Sequence, residues 1–76
     1  MRLLGRNTRL FEHEIPLADA ERDFSGWFAV VLDPKREGLR ATAGWVRAVS
    51  KTADGAFRAL YQVSPQDRRV TVVRLP

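Results

Sequence analysis

One stretch constrains this chain more than any other. Trp27-Phe28-Ala29-Val30-Val31-Leu32 is its longest uncharged apolar run, six residues closed by Asp33-Pro34. A run of that length, rich in aromatic and β-branched residues, reads as a central strand covered on both faces, because a strand with one wet face would alternate with polar residues. As a helix it is far too short to cross a bilayer, which takes about 20 residues.

The rest of the chain is punctuated around that run. Ile15-Pro16, Ser25-Gly26, Asp33 to Gly38, Thr52-Ala53-Asp54-Gly55 and Ser64-Pro65-Gln66-Asp67 carry the residues that turns require. Pro presets φ, Asp and Ser bond back to the following backbone, and Gly accepts positive φ. The segments between them have strand length and the spacing of a β-meander. Phe57, Ala59, Tyr61 and Val63 alternate with Arg58 and Gln62, with Leu60 breaking the pattern. Val70 to Leu75 is mostly β-branched and suits a strand. Together these two segments predict a hairpin joined by Ser64–Arg69, with Phe28, Phe57 and Tyr61 in the interior.

Residues 39–51 fit two periods. As a strand they place Leu39, Ala41, Ala43, Trp45 and Val49 on one face; as a helix they place Leu39, Ala43 and Val46 on one stripe. Gly44 costs about 1 kcal/mol in a helix interior, so the strand is favoured, with Asp54-Gly55 as the next hairpin turn. Thr8–Ile15 alternates weakly and suits an edge strand. Residues 17–24 follow Pro16 and open with acidic residues, which predicts a short helix turning Leu17, Ala20 and Phe24 to one side.

A chain of 76 residues makes one domain, residues 1–76. The expected fold is mainly β: a small antiparallel sheet or barrel of four to five strands with one short helix, the alternative being an α+β fold with residues 39–51 helical. The start, Met1 to Asn7, lacks the apolar stretch of a signal peptide, so a cytoplasmic location without membrane contact is expected.

Catalytic chemistry finds little to work with. There is no cysteine and one histidine, which removes disulfides, thiolate metal sites and paired imidazoles. His13 lies between Glu12 and Glu14, but strand neighbours point to opposite faces and do not converge. Asp19, Glu21 and Asp23 diverge around a helix in the same way. No phosphate-binding glycine loop is present. The expectation is a protein that is not an enzyme and holds neither cofactor nor metal.

The charge points elsewhere. The net charge is +4, and 11 of the 13 basic residues are arginine. Guanidinium suits bidentate contacts to carboxylate or phosphate, although GC-rich coding raises Arg and Ala equally well. Residues 17–24 are net −2, whereas residues 39–55 carry +2 and residues 56–76 carry +3. A basic C-terminal half steers a protein toward an acidic surface or a polyanion.

Gly55 to Val63 followed by Arg69 to Leu75 resembles the closing hairpin of RelE/ParE-type toxins. That resemblance covers about 20 residues and implies an RNA-cleaving toxin with Arg58, Tyr61 and Arg74 at its site. The chain departs from the family in lacking a pair of long N-terminal helices and a basic or His tail after Leu75-Pro76.

The reading from the residues themselves is a small basic binding protein, a regulator or assembly subunit. It would contact a larger protein partner through exposed Trp27 and Trp45 together with Arg40, Arg47, Arg58, Arg69 and Arg74. A nucleic-acid-binding β module, with bases stacked on aromatics and phosphates paired by those arginines, is the alternative. The β-branched segment 70–75 carries few charges to guard an edge, which also predicts a homodimer through an edge strand.

Overall fold

The computed structural model describes residues 7–63 and 67–76. The expectations placed on Met1–Arg6 and on Ser64–Gln66 lie outside the described residues. Six elements follow in order: β1 (Thr8–Pro16), α1 (Leu17–Asp23), β2 (Phe28–Glu37), β3 (Arg40–Ser50), α2 (Ala53–Val63) and β4 (Val70–Arg74). The strands form one antiparallel sheet in the order β1-β3-β2-β4.

That order decides where the helices go. β1 and β2 run parallel with β3 between them, and β3 and β4 run parallel with β2 between them. Both crossovers step the same way across the sheet, but their strands point in opposite directions. Right-handed connections therefore place the two helices on opposite faces. The packing agrees. Leu17 and Ala20 of α1 meet Ala29, Val31, Val46 and Val49 on one face. Ala59 of α2 meets Val30 and Ala48 on the other.

β2 is the strand the apolar run predicted. It is hydrogen-bonded on both edges, to β3 and β4, and Ala29, Val30, Val31 and Leu32 are all buried. The favoured strand reading of residues 39–51 is also observed, as β3. β1 is an edge strand, and α1 follows Pro16 with Leu17 and Ala20 buried, as expected.

Three irregularities shape the sheet. On β1, residues 11–14 stand opposite the single residue Arg47, and the Arg47 guanidinium donates to the Glu12 carbonyl at 2.7 Å. On β2, Asp33-Pro34 stand opposite Gly44, with Asp33 at φ +50°. Gly44 has φ +155°, and a Cβ there would lie 2.5 Å from Val31 Cγ1. Side chains rarely adopt that backbone, and the sheet leaves no room for one. Beyond this corner, where Thr42 adds a further residue to β3, the β2–β3 arm turns back over the α1 face. There Ala41 packs on the core and the Arg36 guanidinium donates to Thr71 Oγ1 at 3.1 Å. Gly38 (φ +62°) and Leu39 close the arm as a two-residue turn with glycine first.

The predicted hairpin of residues 57–63 with 70–75 does not form. Residues 53–63 are helix, so the fold has two helices rather than one, and the sheet is open rather than closed into a barrel. The physical reason lies in Leu60, which broke the strand alternation. Ala56, Ala59, Leu60 and Val63 recur at the i, i+3, i+4, i+7 spacing of a helix stripe. Ala56 and Ala59 are buried, and Leu60 and Val63 pack against the same core. Asp54-Gly55 is not a turn but the first turn of α2. Thr52 Oγ1 accepts from the Gly55 N–H at 3.0 Å, the bond of a helix N-cap. A Cβ at Gly55 would fall 2.2 Å from Ser50 Oγ, so only glycine lets α2 sit this close to β3. Phe57 and Tyr61, expected inside, face outward.

Below that helix end lies a buried hydroxyl pair, Thr8 Oγ1 and Ser50 Oγ at 2.9 Å. Ser50 Oγ also accepts from the Thr52 N–H at 3.2 Å. No helix among the described residues is long and apolar enough to cross a membrane.

Candidate interaction surfaces

The fold brings only two of the seven residues named from sequence to a shared groove, and scatters the other five. Trp27 is half-buried: it packs edge-on to Phe24 at 5.3 Å, with the Lys51 ammonium 5.3 Å from its ring centroid. Its area is largely spent on the α1-side core, where Phe11 also meets Phe24 at 5.7 Å. Trp45 remains 46% exposed. It lines a groove of about 320 Å³ with Leu17, Ala18, Lys35 and Thr42. Arg47 is occupied by the β1 irregularity, Arg58 lies on the outward face of α2, and Arg69 borders a cleft near Arg36 and Thr71.

Arg40 and Arg74 do come together. They belong to a groove of about 600 Å³ that opens between α1, the folded-back arm and β4. Its apolar lining comes from Leu17, Ala41, Val73 and Leu75, and Glu21 and Glu37 add two carboxylates beside the two arginines. Leu39, at the tip of the arm, overhangs it and is 97% exposed. The groove exists because the Asp33-Pro34/Gly44 corner folds the arm back, so residues 17, 40 and 74 meet only in three dimensions.

Sequence reasoning missed Arg68. Its guanidinium uses all three of its nitrogens: Nη1 and Nη2 donate to the two Glu14 carboxylate oxygens at 2.5 and 3.0 Å, and Nε donates to Asp33 Oδ2 at 2.6 Å. The side chain thus ties the chain before β4 to β1, the far edge of the sheet, and to the β2 corner. The Asp33 N–H donates to the Arg69 carbonyl at 2.8 Å and fixes the same junction. Hydrogen bonding to Arg68 holds the Glu14 carboxyl below its ordinary value, aided by the positive charges of Arg68 and Arg47. The same bonds push Arg68 further toward its protonated form. Nothing in the local sequence marks this clasp, because its three members lie at positions 14, 33 and 68.

The outward face of α2 carries a second exposed group. Phe57 is 50% and Tyr61 84% exposed, one helical turn apart, with Arg58 beside them. Two of the aromatics open to base stacking, Phe57 and Tyr61, thus lie on α2, while Trp45 lies on β3. The hairpin on which the toxin resemblance rested is replaced by α2, so its Arg58 and Tyr61 lie on a helix and its Arg74 on a strand.

Among the described residues no group of three or more His, Asp or Glu is placed to hold a metal ion. No family model matches the chain, and no curated protein or solved structure is significantly similar to it.

Proposed function

We propose that this chain is a small basic binding protein without catalytic chemistry, a regulator or assembly subunit that docks a larger protein. The observation that carries the reading is the groove in which Arg40 and Arg74 flank an apolar lining, under the exposed Leu39. An apolar lining with convergent charged groups at its margin is the makeup of a recognition site: the apolar part contributes burial and the charges set orientation. Such a site fits an apolar side chain of the partner with an acidic group beside it, where the arginines can pair with carboxylate.

The test is capture from a host extract after nuclease treatment, comparing wild type with Leu39→Asp and with Arg40→Glu/Arg74→Glu. The expected result is a nuclease-resistant protein retained by wild type and by Tyr61→Ala, and lost from both groove variants. Equal retention by all of them, or loss of every captured component to nuclease, overturns the reading.

A second reading draws on Phe57, Arg58 and Tyr61, whose exposure on α2 suits stacking of unpaired bases beside a phosphate contact. It requires binding to a single-stranded oligonucleotide that weakens steeply with salt and loses slope in Arg58→Ala. Absence of salt-dependent binding removes it.

A further inference from the structure

The two edges of the sheet are not equivalent. β1 is interrupted by the four-residue irregularity opposite Arg47 and carries Arg9, Glu12, His13 and Glu14. A broken, charged strand is a poor template for another strand. β4 is continuous over Val70–Arg74 and pairs without a register shift. Val70, Thr71, Val72 and Val73 are each only partly buried, so both its faces keep apolar surface at the rim.

The hydrogen bonds show which main-chain groups of β4 look outward. The Arg69 carbonyl accepts from Asp33 on β2, while Leu75 donates to the Trp27 carbonyl and accepts from the Gly26 N–H. Main-chain N–H and C=O of one strand residue point the same way and alternate along the strand. Positions 69, 71, 73 and 75 therefore face β2, leaving Val70, Val72 and Arg74 to present theirs at the open edge. Among the described residues, no other backbone group bonds to them.

We propose that this edge pairs with the same edge of a second copy, antiparallel, about a twofold axis through Val72. In that register Val72 faces Val72 of the second copy and Val70 faces its Arg74, so every outward position meets a position of the same kind and exchanges two hydrogen bonds with it. Thr71 faces Val73 in the intervening pairs, which brings β-branched side chains together. Two chains of net charge +4 repel overall, so the register that keeps their charges apart matters. No like charges stand opposite one another, and the two Arg74 residues lie four strand positions apart, about 13 Å, beyond the Debye length of about 8 Å at physiological salt. The product is one continuous eight-stranded sheet with an isologous interface.

The decisive experiment combines mass with cross-linking. Sedimentation equilibrium of wild type up to several hundred micromolar should reach twice the 8.6 kDa chain mass. Val72→Pro removes an outward N–H and no β2 bond, and proline is tolerated on such an edge; it should be monomeric with an unchanged circular dichroism spectrum. The chain has no cysteine, so Val72→Cys introduces a single thiol. The pairing places the two thiol-bearing Cα atoms about 5.5 Å apart, inside disulfide range. Val72→Cys should oxidise to a covalent dimer and Val70→Cys should not. A wild type that stays monomeric, a folded Val72→Pro that still dimerises, or a Val72→Cys that fails to cross-link overturns the proposal. If Val72→Pro does not fold, the contrast between the two cysteine variants decides.

Discussion

At the scale of single residues, Arg68 is the side chain that most depends on the finished fold. A guanidinium with three donors satisfied by two carboxylates is a strong geometry. It is also partly open to water, and screening limits what it adds to stability. Its signature is therefore best read through pH. Glu14 titrates at its ordinary value near 4.5 in the unfolded chain and below that in the fold. A carboxyl with a lowered native pKa contributes stability that is complete above the unfolded value and is lost as pH falls through the native one. Glu14→Gln should thus be less stable than wild type at neutral pH. The two should converge in urea titrations as pH falls past the ordinary carboxylate value and through the lowered native one. A constant difference across that range would mean the ion pair is not its cause.

Glycine teaches a related lesson. Gly44 and Gly55 look alike in the sequence, single glycines among strand-like residues. One resolves a corner opposite Asp33-Pro34, and the other allows a helix to touch a buried hydroxyl pair. Their neighbours in space, Val31 for one and Ser50 with Thr8 for the other, are what separate the two roles.

At the scale of elements, α2 shows how two periodicities compete over a short window. Phe57, Ala59, Tyr61 and Val63 satisfy a period of two; Ala56, Ala59, Leu60 and Val63 satisfy a helix. The tie-breakers were Leu60, which only the helix explains, and Thr52, whose hydroxyl caps it. The aromatics misled because size suggests interior, whereas here small alanines form the contact and let the helix approach closely. Removing the cap by Thr52→Ala should cost about 1 kcal/mol in denaturant unfolding. Thr52→Ser should cost much less, because it keeps the oxygen. If both cost the same, packing of the Thr52 methyl group rather than capping is responsible.

β2 and α1 were legible for the opposite reason: an unbroken apolar run and an acidic segment opening after Pro16 each have one plausible period. In residues 39–51, where a strand and a helix period both fit, the cost of Gly44 in a helix favoured the strand that forms. Asp33-Pro34 is not the end of β2 but a corner inside it. The β4 segment was legible as a strand, but its pairing was not. Its nearest chain neighbour is a helix, and its partner β2 lies some 40 residues earlier.

At the scale of the whole molecule, the sheet carries two cores, one on each face, and β2 runs through the middle of both. Val31 serves the α1 side and Val30 the α2 side, one residue apart. Neither helix has another layer to pack against, so both cores depend on β2. Val30→Ala and Val31→Ala should each cost about 2 kcal/mol from lost burial and the cavity left behind. Each should shift a single cooperative transition, seen alike by far-ultraviolet dichroism and tryptophan fluorescence. Separate transitions by the two probes would show that the faces unfold independently.

The candidate groove belongs to this scale as well. Arg40 and Arg74 were named from their charge alone, as were Arg47, Arg58 and Arg69, and charge does not say which arginines end as neighbours. What singles out the first two is the folded-back arm, a consequence of irregular pairing at Asp33-Pro34 and Gly44.

The sequence by itself determined the strand buried on both faces and the short helix after Pro16, and it favoured, without deciding, the strand over residues 40–50. Those features follow from local apolar patterning and from the φ restrictions of Pro and Gly, which act within a few residues. Only the tertiary structure decided the strand order, the opposite placement of the helices, the helical state of residues 53–63, the Arg68 clasp and the grouping of Arg40 with Arg74. Each of these depends on contacts between segments far apart in the chain, set by crossover handedness, ladder register and the space left beside a neighbouring backbone.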